Sequence, residues 1–335
     1  MGTLAAFYAV KRNPNMLVLL VDRGFIGGGT TRHSIGFDYP FGHTKAKKEM
    51  AIESLLLWQQ LDTHLQNLRC TLPLYGIVSK KNTERVLNGF VQNNFQTDEK
   101  TLVFNKTTLL AKKEHVFITG GYCNYYKPQA TTEKLAELIK KQHNCTIWEG
   151  LNVERVETQK SSFNLHLSDQ NTIKTNKLLL ATGPWSATNG LGLFEETKLR
   201  TKKIISLHIE EPTEQDCPAL FFFDEDAFLL PLVTLNRLIF SFTILSWDIH
   251  PDSNAFVITP EEKEIGVSIL RKYLPNLVNK CHGGRVFCDA YSPDWTPIIQ
   301  RNPVYPNAVI ATAGSGSGFR LAPAIAIRAL NHLGI

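Results

Sequence analysis

The chain of 335 residues has no Cys-x-x-Cys pair, and its six cysteines, Cys70, Cys123, Cys145, Cys217, Cys281 and Cys288, are widely scattered. That spacing suits neither a disulfide framework nor a thiolate metal site, and it predicts reduced thiols in a reducing compartment. A signal peptide and an apolar run of membrane-spanning length are both missing, so a soluble, cytoplasmic protein with no membrane partner is expected. Clustered basic charge is missing too. The formal net charge is only +5, and a nucleic-acid partner would call for a basic stripe that the scattered lysines do not form. No internal repeat or low-complexity segment interrupts the chain.

What is present is an ordinary globular composition, 43% hydrophobic and 20% charged, over a length that suits two domains. Gly2 to Val10 reads as a helix of small residues that Asn13-Pro14-Asn15 ends. The continuous apolar run Met16 to Val21, closing on Asp22, predicts a strand buried on both faces of a parallel sheet. Helix followed by parallel strand is the second half of a βαβ unit, whose first strand and first two fingerprint glycines would have to precede Gly2. Gly27 to Ser34 reads as a flexible polar loop, and apolar residues at helical spacing predict a helix from Lys45 to Leu68. Long β-type runs such as Ala227–Leu232 and Leu238–Leu245 fill the region after 204, before a helix near 261–273, a strand at Arg285–Ala290 and a final helix from Pro323.

Three pieces carry chemistry. The first is Gly2 with Asp22: a glycine lets a helix pack closely with its N-terminus towards a pyrophosphate, and an acid about 20 positions on accepts ribose hydroxyls. The second is Leu178-Leu179-Leu180-Ala181-Thr182-Gly183-Pro184, a buried strand ending in bare backbone that a ligand can approach. The third is Ala313-Gly314-Ser315-Gly316-Ser317-Gly318-Phe319-Arg320, a strand running through three alternating glycines into a helix with Pro323 in its first turn. The helix N-terminus there offers partial positive charge to an anionic ring edge.

In this order and at these separations, the three pieces resemble the D-amino-acid oxidase-like family of FAD-dependent oxidoreductases, which includes glycine and sarcosine oxidases. Tyr291-Ser292-Pro293-Asp294-Trp295-Thr296-Pro297-Ile298-Ile299 is similar to that family's Thr-Pro-Asp-x-x-Pro-Ile-Ile-Gly stretch. The resemblance implies an α/β fold: a Rossmann-like FAD-binding domain, its first strand missing from the sequence, with an inserted antiparallel-sheet α+β substrate domain. The FAD domain is expected at 1–45, 119–195 and 284–335, and the substrate domain at 46–118 and 196–283. By the same resemblance Gly2, Asp22 and Arg23 serve the adenosine half of FAD, Thr30 and Thr31 pass its pyrophosphate and ring, and Val153 meets the adenine. Ala181, Thr182 and Gly183 line the adenine side. Gly314, Gly316, Ser317, Gly318 and Phe319 hold the isoalloxazine. Arg320 stands where relatives bind the substrate carboxylate, with Arg32 and His33 as further basic candidates.

Two departures qualify the resemblance. Asp289 occupies the position, five residues before Asp294, where glycine-oxidase-like members carry an arginine, so either carboxylate capture moves to Arg320 or Arg32, or Asp289 helps to bind a cation. Ile239 falls where sarcosine-oxidase-like members have an oxygen-activating lysine, which leaves room for an electron acceptor other than oxygen. Cys288 lies one residue from the cysteine that attaches flavin in some relatives, and a one-residue slip on a strand reverses the face, so FAD is expected to be non-covalent. The expected activity is oxidation of the C–N bond of a small amine or amino acid by hydride transfer, with Arg320 as a bidentate carboxylate fork. The alternatives are a flavin monooxygenase or dehydrogenase, or a degenerate flavoprotein that modifies or assembles a partner protein.

Overall fold

Small side chains at the start of the chain let its first helix sink into the interior. In the computed structural model, which describes residues 1–92, 94–110, 112–187, 191–194, 197–214, 216–253 and 256–335, the helix Gly2–Arg12 buries Thr3, Leu4, Ala5, Ala6, Phe7, Ala9 and Val10. It packs between the helices Pro128–Lys140 and Ala322–His332. The alanines bring the backbones close, while Phe7, Leu135 and Leu330 fill the space between them. No helix is long and apolar enough to cross a membrane, among the described residues.

The strand Val18–Asp22 pairs in parallel with Cys145–Glu149, Val18 opposite Cys145 and Asp22 opposite Glu149. Leu178–Leu180 pairs in parallel with Ala308–Thr312, which continues antiparallel to Ile298–Arg301. These two groups share no ladder. The apolar strand Val18–Asp22 is therefore half-buried along its whole length, where its composition predicts burial on both faces. Its second edge opens on a cleft that Leu178, Leu179 and Leu180 line from the other side.

Among the described residues, nine strands form a large sheet apart from these two groups. Eight run in the order Cys281–Tyr291, Arg200–Ile209, Arg237–Phe242, Ala227–Leu232, Ala219–Phe222, Arg69–Ser79, His115–Tyr126 and Phe37–Asp38, and Gln96–Asp98 also pairs with His115–Tyr126. Every pairing is antiparallel except that of Ala219–Phe222 with Arg69–Ser79. Successive residues of the central strands feed opposite cores: Leu229 and Phe240 join one cluster with Leu270 of the helix Pro260–Tyr273, while Leu230 and Ile239 join another with Leu72 and Val78. Both faces are covered, which explains why these strands read as continuous apolar runs. Of the expected domain boundaries, that at 195 lies outside the described residues. Those at 118/119 and 283/284 fall inside the long strands His115–Tyr126 and Cys281–Tyr291.

Two local features position the site. The stretch expected to be a flexible loop winds into a short helical turn, Thr30–His33, because Thr30 Oγ1 donates to the Cys288 carbonyl at 2.9 Å and fastens it to the strand Cys281–Tyr291. The helix Lys45–Leu65 buries Lys47, Met50, Ala51, Ser54, Trp58, Leu61 and Leu65 at helical spacing. Trp58 stacks on Tyr126 and Phe319 at 4.7 and 5.4 Å, and its Nε1 donates to the Arg320 carbonyl at 3.0 Å. Replacing Trp58 with alanine should cost about 3–5 kcal/mol of stability, read as a lower urea midpoint. A midpoint equal to that of the wild type would show that this ring does not tie the helix to the glycine turn.

Candidate active site

A cleft of about 1870 Å³ runs from the open edge of the parallel sheet to the face of the large one. At one end stands the helix Gly2–Arg12. Met1 provides no side-chain cap and no acid occupies the first turn, and the first internal bond is Ala5 N–H to the Met1 carbonyl. The N–H groups of Gly2, Thr3 and Leu4 therefore have no partner within the helix, and all three residues line the cleft. A Cβ on Gly2 would stand 3.4 Å from that of Ala181, so this helix end and the Ala181–Gly183 turn lie side by side. Gly183 has φ +57, a left-handed conformation that disfavours side chains, and a Cβ there would meet nothing within 4 Å. Bare backbone facing open space is what a flat ligand needs.

Asp22 closes its strand at the cleft, with Oδ1 accepting from the Gly24 N–H at 2.9 Å. Desolvation raises its pKa and Glu149 adds to the effect, while the Gly24 bond and Arg23 oppose it. Arg23 pairs with Asp252 at 2.5 Å and lies 4.1 Å over the Trp185 ring. The indole Nε1 of Trp185 donates to both oxygens of Asp252, at 2.9 and 3.0 Å. Val153, Thr31 and Thr182 also line this half.

The other half is built round the glycine turn. Ala313, Ser315 and Gly316 all have positive φ, and a Cβ on Gly314 would collide with the Gly318 Cα. Ser315 N–H donates to the Ala290 carbonyl at 3.0 Å. Half-buried Asp289 accepts from the Ala290 and Gly316 N–H groups at 2.8 and 3.1 Å, and desolvation raises its pKa against those bonds and the nearby Lys47. Arg320 is buried; it donates through Nη1 to the Phe41 carbonyl at 2.6 Å and through Nη2 to Ser317 Oγ at 3.0 Å, and it lies 4.7 Å over the Tyr39 ring. Its Nε has no partner among the described residues.

The structure thus brings Gly2, Asp22, Arg23, Thr30, Thr31, Val153, Ala181, Thr182, Gly183, Gly316, Ser317, Gly318, Phe319, His33, Asp289 and Arg320 to one cleft. Arg32 and Gly314 are not on its wall. Arg32 is exposed, 5.9 Å over the Phe25 ring, because the helical turn points it away from Thr31 and His33, and Gly314 serves the close approach of Gly318. Ile239 is buried in a core cluster on the same sheet face as Phe228 and Ser241, which line the cleft, but it is not itself on the cleft wall. His33 stacks on Phe287 at 6.0 Å, and desolvation, with Arg32 and Arg285, lowers its pKa. The Cys288 thiol donates to the Ile249 carbonyl at 3.6 Å, and burial pushes its pKa up to about 12.

Sequence reading missed Tyr39, Lys47, Asp226, Tyr291 and Trp295, all on the cleft wall. For Lys47 a signal existed: it stands three and four residues before Met50 and Ala51, on the buried stripe of its own helix. Burial and Arg320 lower its pKa to about 8, against the pull of Asp226, Asp289 and Asp294.

A family model described as FAD dependent oxidoreductase matches residues 1–329. Comparison with curated proteins gave no match. Among solved structures, L-proline dehydrogenase from P. horikoshii superposes with a TM-score of 0.80 at 18% identity, over 99% of this chain and 90% of that one. Glycine oxidase from Geobacillus kaustophilus gives 0.77 at 14% identity, over 99% and 91%. L-alpha-glycerophosphate oxidase from Mycoplasma pneumoniae, with FAD bound, gives 0.79 at 15% identity, over 99% and 92%. The cleft fits FAD on its own terms: an uncapped helix end for the pyrophosphate, a terminal acid at ribose spacing and two bare turns. Replacing Asp22 with alanine should raise the FAD dissociation constant roughly 10- to 100-fold, the worth of one or two charge-assisted bonds, measured by fluorescence titration of stripped protein. An unchanged constant would remove Asp22 from the cofactor site.

Proposed function

Since the chain belongs to the family of FAD-dependent oxidoreductases, we propose that it oxidises the C–N bond of a small amino acid or amine, with FAD held non-covalently. The observation that carries this reading is the pairing, at the glycine-turn end of the cleft, of buried cations with carboxylates between aromatic walls. Lys47 and Arg320 favour a carboxylate, Asp226 and Asp289 favour an amine nitrogen, and Tyr39, Phe221, Tyr291 and Trp295 supply the walls. The similar solved proteins named proline dehydrogenase and glycine oxidase support the same substrate class.

Bound FAD supplies a two-electron acceptor for the hydride of the carbon beside the amine. The chain's residues orient that carbon and exclude water from it. The substrate gives up a hydride from carbon and a proton from nitrogen, and water hydrolyses the resulting imine to a carbonyl compound and a free amine. The Cys288 thiol, hydrogen-bonded and kept protonated by burial, is a poor nucleophile, which supports the non-covalent reading. The division into an FAD domain (1–45, 119–195, 284–335) and a substrate domain (46–118, 196–283) suits a site on the large sheet. Anaerobic mixing of the yellow protein with L-amino acids, N-methylated amino acids and simple amines should bleach the flavin absorbance with at least one of them. No bleaching across the panel, from protein that a dithionite control does reduce, would end this reading.

A further inference from the structure

Three buried lysines among the described residues meet different fates. Lys203 donates to both Glu262 oxygens at 2.8 Å and to the Val257 carbonyl at 2.7 Å. Lys202 is enclosed by the rings of Trp247, Tyr291 and Trp295, at 5.1, 5.2 and 5.5 Å, and does not line the cleft. Lys47 does line it, although only 2% of its surface is exposed. Its ammonium makes one long bond, 3.3 Å to the Ser315 carbonyl of the glycine turn, and no salt bridge among the described residues. A buried ammonium with two N–H groups to spare is costly unless something anionic completes it.

Arg320, beside it, is differently placed. Its two terminal nitrogens hold the Phe41 carbonyl and the Ser317 hydroxyl, which fixes the turn between the helix Lys45–Leu65 and the helix Ala322–His332. We propose that Lys47, and not Arg320, is the residue that directly binds the substrate carboxylate, in the notch formed with the Ser315 carbonyl, while Arg320 positions the turn. The proposal rests on the reading that the substrate carries a carboxylate. It makes the site selective for amino acids over simple amines, because an amine lacking the acid group leaves the ammonium unpaired.

The charge state of the notch gives the test its sign. Arg320 disfavours the Lys47 ammonium, whereas Asp226, Asp289 and Asp294 favour it; the nearby His43, its pKa lowered by burial, is neutral where Lys47 titrates. With its pKa lowered to about 8 by burial, Lys47 is cationic below that pH, where carboxylate affinity is constant. Above it, affinity falls about tenfold per pH unit as the proton is lost.

Acetate is the probe, titrated into the FAD-loaded protein by calorimetry and by perturbation of the flavin spectrum from about pH 6.5 to about pH 9.5. The wild type should show a flat dissociation constant that rises above about pH 8. Lys47→Met should weaken acetate binding roughly 10- to 100-fold and abolish the rise, while Lys47→Arg should keep the binding and move the rise out of range. Lys47→Met should also leave the unfolding midpoint at pH 7 the same or higher, since it removes a buried charge. Unchanged acetate binding in Lys47→Met, no acetate binding by the wild type, or a wild-type profile without the rise would overturn the assignment. Should Lys47→Met fail to fold, the wild-type profile and Lys47→Arg still decide it. Acetate binding through Lys47 in a protein that no amine or amino acid reduces would sink the proposed function and leave this inference standing, and the opposite pattern would do the reverse.

Discussion

A single half-buried carboxylate fixes the distance between the glycine turn and the large sheet. Asp289 accepts the N–H groups of its own neighbour Ala290 and of Gly316 across the gap, so the strand Cys281–Tyr291 and the turn move as one body. The turn can come this close because Gly314 and Gly318 face each other without side chains. Ala313 and Ser315, neither of them glycine, are held at positive φ by the same constraint, a local strain that the surrounding bonds must offset. Were the carboxylate to let go, the wall on which a flat ring can lie would lose its register with Thr30, whose hydroxyl is tied to the next residue back, Cys288.

Around that fixed point the protein collects charges that it does not neutralise in simple pairs. Lys47, Arg320, Asp289 and Asp226 share one end of the cleft, and burial moves the lysine and Asp289 towards their neutral forms. Such an arrangement weakens the fold locally, and perturbed groups of this kind gather where ligands bind. Elsewhere the same fold settles its buried charge conventionally, as where Lys203 meets Glu262 at the capped start of the helix Pro260–Tyr273.

Much of this was legible from residue order alone. Gly2 with Asp22, the Ala181–Gly183 turn and the 313–320 run fall on one cleft as their spacing implied, since a glycine or a terminal acid carries its reason locally. Arg320 was found, but its partners Phe41 and Ser317 lie on other segments and no local pattern reveals them. Lys47 was passed over because its neighbours Lys45 and Lys48 look alike in sequence, and only helical phase separates the buried one. The composition of Val18–Asp22 suits full burial, but composition records what a strand is suited to and not which edges are paired. The order of the nine-stranded sheet, with Ala219–Phe222 laid parallel against Arg69–Ser79, depends on long-range pairing that periodicity does not encode.

The contact of Arg23, Trp185 and Asp252 makes the hold between three segments of the cleft wall a matter of ionic conditions. Arg23 follows the first strand, Trp185 follows the Ala181–Gly183 turn, and Asp252 arrives from a distant loop beyond the large sheet. An ion pair this exposed contributes under about 1 kcal/mol and is screened by salt. The end of the first strand, the Ala181–Gly183 turn and the Asp252 loop are therefore only loosely clasped to one another, and added salt loosens them further.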